Sequence, residues 1–355
     1  MTAPLAPAPA PSVSPAVSPA AAASLPVLPR PGSAQFEAVL KSGAYMPLTQ
    51  FGVISVSGDD AATFLHGQLT SDTQHLDAAN ARLAGYCSPK GRLLASFLVW
   101  RDSEAIRLLV SKDVQAVVQK RLSMFVLRAK AKLSDASADL LAVGLAGDVR
   151  HALAGIFDVI PDGVHVKVDG PFGSLIRVPD AEARLRYLWI GPRAEVEAHL
   201  PALDSKLVRV SPAVWDWLDI RAGEPRITGP VTEQFVPQMV NFDVLGGVNF
   251  RKGCYPGQEI VARSQYRGTI KRRTALANVA GETSTVAAGA ELFHSADPGQ
   301  PCGMVVNVAS APAGGVDVLA EIKLVALEGG SVHLGAADGP ALHFLPLPYA
   351  WPTEV

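Results

Sequence analysis

The chain has only three cysteines in 355 residues, Cys87, Cys254 and Cys302. No two of them stand in a C-x-x-C spacing, which argues against a self-contained zinc site or a thioredoxin-type motif. So sparse and odd a set fits a reducing compartment, not a disulfide framework. Charge is scarce as well. Charged residues make up 18% and the formal net charge is -2, so no global field draws the protein to nucleic acid or to an anionic membrane. No run of about 18 apolar residues free of helix breakers occurs, and the sequence predicts no membrane span. The eight histidines contain no H-x-x-x-H pattern. Neither a G-x-x-x-x-G-K-[ST] loop nor a G-x-S-x-G elbow is present, so there is no case for a P-loop, a zincin or a hydrolase elbow.

What is present is enough apolar material, 48%, to bury a sizeable core over two or three domains. Residues 1–34 alternate Ala, Pro and Ser, and the first positive charge is Arg30. That is neither a secretory signal nor a mitochondrial presequence. It predicts a disordered tail on a cytoplasmic protein. Order is expected from near Gln35.

Val53, Ile54 and Val56 predict a strand ending at Ser57-Gly58, followed by a helix opened by Asp59 and Asp60. Strands are expected over 82–87, 93–100 and 105–110. A helix is expected over 112–127, with Ser111 as N-cap and an apolar stripe of Val114, Val117, Val118, Leu122 and Phe125. The order strand, Gly-Asp, helix recurs at Leu141–Asp148, which suggests two related α+β halves, about 35–135 and 136–267. Leu185–Ile190 predicts a further strand, and Pro192–Leu200 a helix. Ser211-Pro212 opens another helix that Gly223 closes. From 268 to 355 short β-rich runs separated by glycine-rich turns predict a small all-β domain.

The densest candidate chemistry lies between Val248 and Arg273. Cys254 stands beside Lys252 and Arg251. Neighbouring cations favour a thiolate, so Cys254 is either a reactive or metal-ligating sulfur or a small buried hydrophobe. Residues 251–273 hold seven cationic side chains against the carboxylate of Glu259 alone. That is a solvated face or an anion site, the anion being a folate glutamate tail, a phosphate or a tRNA backbone. Trp215 and Trp217 are about 200° apart on one helix, so at least one belongs to the core and the other could stack on a ring system.

Lys252-Gly253-Cys254-Tyr255-Pro256-Gly257-Gln258-Glu259, followed by Arg263, resembles the signature K-G-C-[FY]-x-G-Q-E-x-x-x-R of the YgfZ family. Phe64–Asp72, Tyr86–Arg92, Phe235–Phe242 and Leu345–Tyr349 resemble other segments of that family, so the likeness spans about 47–350. The resemblance implies an α+β fold shared with the T-protein of the glycine cleavage system, folate-binding subdomains followed by a C-terminal β-barrel. It implies tetrahydrofolate, or a one-carbon derivative of it, as cofactor. It also implies a role in iron–sulfur cluster assembly or repair, and through client enzymes in tRNA modification, with iron–sulfur assembly or client proteins as partners. By the same resemblance Trp215 and Phe51 contact the folate, and Cys254 with Lys252 carries the chemistry. Cys254 is expected to be solvent-accessible and to face the folate cleft. Since one cysteine cannot hold a cluster, a partner would supply further ligands.

Two departures stand out. T-proteins carry an acidic pair on the strand after the Lys-Gly turn, and here Leu93–Phe97 has Ala95 and Ser96 instead. Neither replaces a general acid or base, which argues against aminomethyl transfer, the alternative activity, as the net charge argues against a tRNA-binding module. Arg221 stands where relatives have Glu, so a hydrogen-bond acceptor for a pterin ring is replaced by a donor.

Overall fold

The computed structural model describes residues 31–266 and 269–352. Most of the expected tail lies outside that range. The helix Ser33–Lys41 already runs where the tail was expected to end, with Phe36, Ala38 and Val39 buried.

Three sheets organise the chain. The first is five-stranded and antiparallel, in the order Ala81–Cys87, Leu93–Arg101, Ile106–Ser111, Phe51–Ser57, Lys132–Asp135. The helices Ala61–His66 and Lys112–Ser123 cover one face of it, around a core that includes Phe64, Leu65, Leu108, Val118 and Leu122. The second sheet has six strands, in the order Val208–Arg209, Gly43–Pro47, Leu140–Gly147, Arg184–Pro192, Gly173–Ala181, Lys167–Gly170. The helix Arg193–Asp204 packs on it through Val196, Leu200 and Leu203. Gly43–Pro47 pairs with Leu140–Gly147, so the chain crosses the boundary expected at 135/136: its first strand belongs to the second sheet. In both sheets a strand hands over to a short helix, Phe51–Ser57 to Ala61–His66 and Leu140–Gly147 to Arg150–Leu153.

The third sheet is antiparallel and six-stranded, in the order Val332–Leu334, Glu291–His294, Asp297–Ser310, Val316–Lys323, Arg272–Val279, Leu342–Leu345. It curls until its edges meet through a bridge between His333 and Ala341, enclosing a core of Val305, Val316, Val318, Ala320 and Ile322. Closing a curled sheet leaves no long unpaired edge.

The helix Pro212–Arg221 joins these parts. Ser211 caps it, its side chain accepting from the Ala213 N–H at 3.3 Å, with Pro212 in the first turn. Trp215 and Trp217, on opposite faces, are both 2% exposed. Trp217 meets Phe36 edge-to-face at 5.1 Å and donates its indole N–H to Asp317 of the third sheet at 2.9 Å. Trp215 turns to the second sheet, where a Cβ on Gly144 would lie 2.4 Å from its six-membered ring. The helix Lys112–Ser123 corrects the expected stripe. Val114, Val118 and Leu122 are buried, but Val117 is 71% and Phe125 45% exposed, and the buried fourth position is Gln115. A strict i, i+4 row faces the sheet, and Gln115 is accommodated there by hydrogen bonds to Asp135 and Ser137.

Candidate functional site

A cavity opens between the first and second sheets, closed at one end by the helix Pro212–Arg221 and the turn after it. Leu83, Leu98 and Leu109 wall it on one side and Val178 and Leu188 on the other. Phe51 and Trp215 both line it, so two aromatic residues 164 positions apart in the chain come to one site. Each already carries a guanidinium. Arg226 lies 4.6 Å from the Phe51 ring centroid, and Arg186 lies 4.8 Å from that of Trp215.

The polar end of the cavity consists of residues the sequence reading passed over: Asp219, Glu224 and Arg226. Asp219 follows Trp215 by four residues, which puts both on one helix face; that spacing was the available signal. Arg186 is wholly buried and donates to Asp219 at 2.7 Å, to Glu224, and to the Pro179 carbonyl at 2.7 Å. Burial pushes the carboxyls of Asp219 and Glu224 above the ordinary range, while Arg186 pulls both back.

The departures noted in the sequence now have positions. Ser96 lines the cavity and accepts a hydrogen bond from the Ile227 N–H at 3.0 Å, whereas Ala95, on the other side of its strand, belongs to the core under the helices. Arg221 does not wall the cavity. It donates to Glu182 and to Asp317. The carboxylates lining this cavity therefore come from the end of the helix and the turn after it, not from the strand.

The signature loop is a second, separate place. Lys252 is buried beneath it. Its ammonium donates to the carbonyls of His66 at 2.6 Å and Gly253 at 3.1 Å and lies 4.8 Å from the Tyr255 ring centroid. Burial lowers the Lys252 ammonium to about 8. His66 holds Asp72 through Nδ1 at 3.0 Å, and His75 holds the other oxygen at 2.9 Å. Burial and the adjacent Lys252 charge lower His66, while Asp72 opposes them. Burial would raise Asp72, but the hydrogen bonds and charge of His75 bring its carboxyl down to about 2.

Gly257 has φ +78°, and a Cβ there would lie 2.4 Å from the Ser88 carbonyl oxygen and 2.6 Å from Gly91. The loop thus interlocks with the turn Ser88–Arg92, a fit only glycine allows. Gln258 and Glu259 begin the helix Gln258–Tyr266.

Within this loop Cys254 is exposed, while Cys87 and Cys302 are buried. Cys254 is not among the residues that wall the central cavity. Lys252 and Tyr255 turn inward, and Gly253 and Cys254 between them are left outward. Among the described residues no three or more His, Cys, Asp or Glu side chains are grouped to hold a metal ion. No helix among them is long and apolar enough to cross a membrane.

Among the described residues the cations of the window 251–273 stand in different settings. Lys252 is buried, Arg273 pairs with Asp243 at 2.6 Å and Arg272 with Glu321 at 2.6 Å, while Arg267 lies outside the described residues. Arg263, Lys271 and Arg272 line a separate surface groove.

Comparison with known proteins fits this architecture. The fold matches the glycine cleavage system aminomethyltransferase T from Bartonella henselae with a TM-score of 0.72 over 89% of this chain and 88% of that one, at 17% identity. No family model matches the sequence. Among curated proteins, the tRNA-modifying protein YgfZ of Edwardsiella ictaluri is 36% identical over 64% of this chain and 70% of its own length. The YgfZ proteins of Sodalis glossinidius and Klebsiella pneumoniae are each 30% identical, over 86% and 87% of this chain and 94% and 95% of their own. On the strength of that near full-length match and of the signature loop, the chain belongs to the YgfZ family of tRNA-modifying proteins.

Proposed function

We propose that the protein binds tetrahydrofolate in the central cavity and supports iron–sulfur enzymes, and through them tRNA modification, with the exposed Cys254 as its reactive group. The observation that carries the folate reading is the cavity itself: an apolar slot between two sheets, bordered by Phe51 and Trp215, with charged donors and acceptors gathered at one end. A flat, polar-edged heterocycle suits such a slot. Cys254 stands apart from the cavity on a loop whose shape is set by the buried Lys252 and by Gly257. A sulfur placed there is open to a partner protein while the ligand is held inside.

The test is calorimetry with tetrahydrofolate, paired with complementation. Trp215→Ala is a poor probe, because emptying a buried indole site costs about 3–5 kcal/mol of stability. Trp215→Phe keeps the wall and should still weaken binding about threefold or more. Cys254→Ser, on an exposed side chain, should bind folate like the wild type yet fail to restore iron–sulfur enzyme activities in cells lacking the protein. Unchanged affinity in Trp215→Phe would remove Trp215 from the site, and full rescue by the serine variant would remove Cys254 from the function.

A further inference from the structure

The unexplained group in the cavity is Arg226. Its Nε and Nη1 are buried and make no hydrogen bond among the described residues. Nη2 lies 2.8 Å from Asp216, and Nη1 is 3.8 Å from Asp219, beyond hydrogen-bonding distance. The residue is not loose. Its backbone N–H donates to Asn307 at 2.9 Å, and its carbonyl accepts from the same side chain at 2.8 Å. Buried donors left unmade are costly, and guanidinium donors most of all. Two residues away, Glu224 uses one carboxylate oxygen on Arg186, and no hydrogen bond to its other oxygen is formed among the described residues. Arg226 and Glu224 both line this cavity, which therefore offers unmade donors and a free acceptor within one site.

A carboxylate ligand would satisfy Arg226 but would stand against Glu224. A ring carrying an N–H next to a C=O satisfies both, the oxygen accepting from Arg226 and the N–H donating to Glu224. We propose that Arg226 and Glu224 are the specificity-determining pair of this cavity and read the lactam edge, –NH–C(=O)–, of a flat heterocyclic ligand. The assignment rests on the folate reading above and deepens it: the ring edge, not the glutamate tail, meets this pair. In this chain Arg221 is turned away to Glu182 and Asp317, so the acceptor comes from Glu224.

The experiment compares tetrahydrofolate with its 4-amino-4-deoxy counterpart, which differs only at that edge. In the 4-amino compound the carbonyl becomes a donor facing Arg226 and the ring N–H becomes a bare acceptor facing Glu224, so both contacts are mismatched. The full-length wild-type protein should prefer the 4-oxo ligand by about tenfold or more in Kd, since a site built for a hydrogen bond rejects a ligand that cannot make it. Arg226→Gln should bring the ratio to within about threefold. Glu224→Gln, which keeps the volume and can present either a donor or an acceptor, should do the same if Arg226→Gln fails to fold. Trp215→Phe should weaken both ligands and leave the ratio in place. Equal wild-type affinity for the two ligands, or a ratio unchanged in both polar variants, would overturn the assignment while leaving the cavity a folate site. Failure of wild-type protein to bind either ligand would overturn both.

Discussion

Replacing Gly144 by alanine tests whether the position of Trp215 is imposed by the sheet behind it. A Cβ on Gly144 would lie 2.4, 2.7 and 3.0 Å from three carbons of the indole ring, where ordinary carbon contacts are about 3.5–4.0 Å. The indole would have to retreat by about 1 Å. It cannot do so freely, because Arg186 lies 4.8 Å from its centroid and is itself tied to Asp219 and Glu224. Overpacking of this kind costs typically about 1–3 kcal/mol, and the upper half of that range is expected where the displaced group is a rigid ring. Urea denaturation with a shared m-value would measure it. A double-mutant cycle supplies the control. In a Trp215→Leu background, where a smaller side chain can give way, Gly144→Ala should cost about 1 kcal/mol less than in the wild type. Folate binding measured on the same variants should fall in Gly144→Ala, as the pushed ring narrows the slot. The reasoning is refuted if Gly144→Ala is within about 0.5 kcal/mol of wild type, or if its cost is the same with leucine at position 215.

Two further outcomes are expected. Burial holds the His165 imidazole down at about 4, against an ordinary value of 6.5, and its Nε2 is buried without a hydrogen bond among the described residues. Between those two pH values the unfolded chain binds more protons than the folded one, so stability present above pH 6.5 is lost as pH falls towards 4. The loss is at most about 3 kcal/mol, and denaturant unfolding at pH 4.5 and 7 should show it shrink in His165→Gln; an identical pH slope in that variant would count against it. Native thiol labelling followed by mass spectrometry should modify Cys254 alone, because burial pushes the Cys87 thiol up to about 12 and also raises Cys302. Rapid modification of a second cysteine before denaturation contradicts this.

Much of the local structure was legible in the sequence because its signals are short-range. The helix Pro212–Arg221 announces itself through Ser211, Pro212 and Gly223, and the hairpin strands over 81–111 through their apolar runs. What was not legible depends on pairing at a distance. Gly43–Pro47 is an apolar strand like its neighbours, and nothing local says that its partner is Leu140–Gly147, almost a hundred residues on. The stripe expected on Lys112–Ser123 is too wide by two residues: Val117 looks as apolar as Val118, and only the sheet decides which is covered, while Phe125 lies beyond the end of the helix. The signature octapeptide marked the family but not the geometry of its loop: that Lys252 is the buried member and Cys254 the outward one follows from where the His66 carbonyl stands. Asp219, Glu224 and Arg226 read in sequence as ordinary helix-end and loop charges, and the two carboxylates are drawn together only by Arg186, from the strand Arg184–Pro192.

The helix that carries Trp215 on one side and Trp217 on the other acts as a party wall. Trp215 faces the central cavity, and Trp217 is hydrogen-bonded to Asp317 inside the C-terminal sheet. Neither side can be remodelled privately. A substitution at Asp317, whose carboxylate also receives Arg221 and Asn278, tilts a wall shared with the cavity. The C-terminal sheet is therefore a fixed part of the slot's tolerance, and truncating the chain before it would remove one of the supports that set the slot's width.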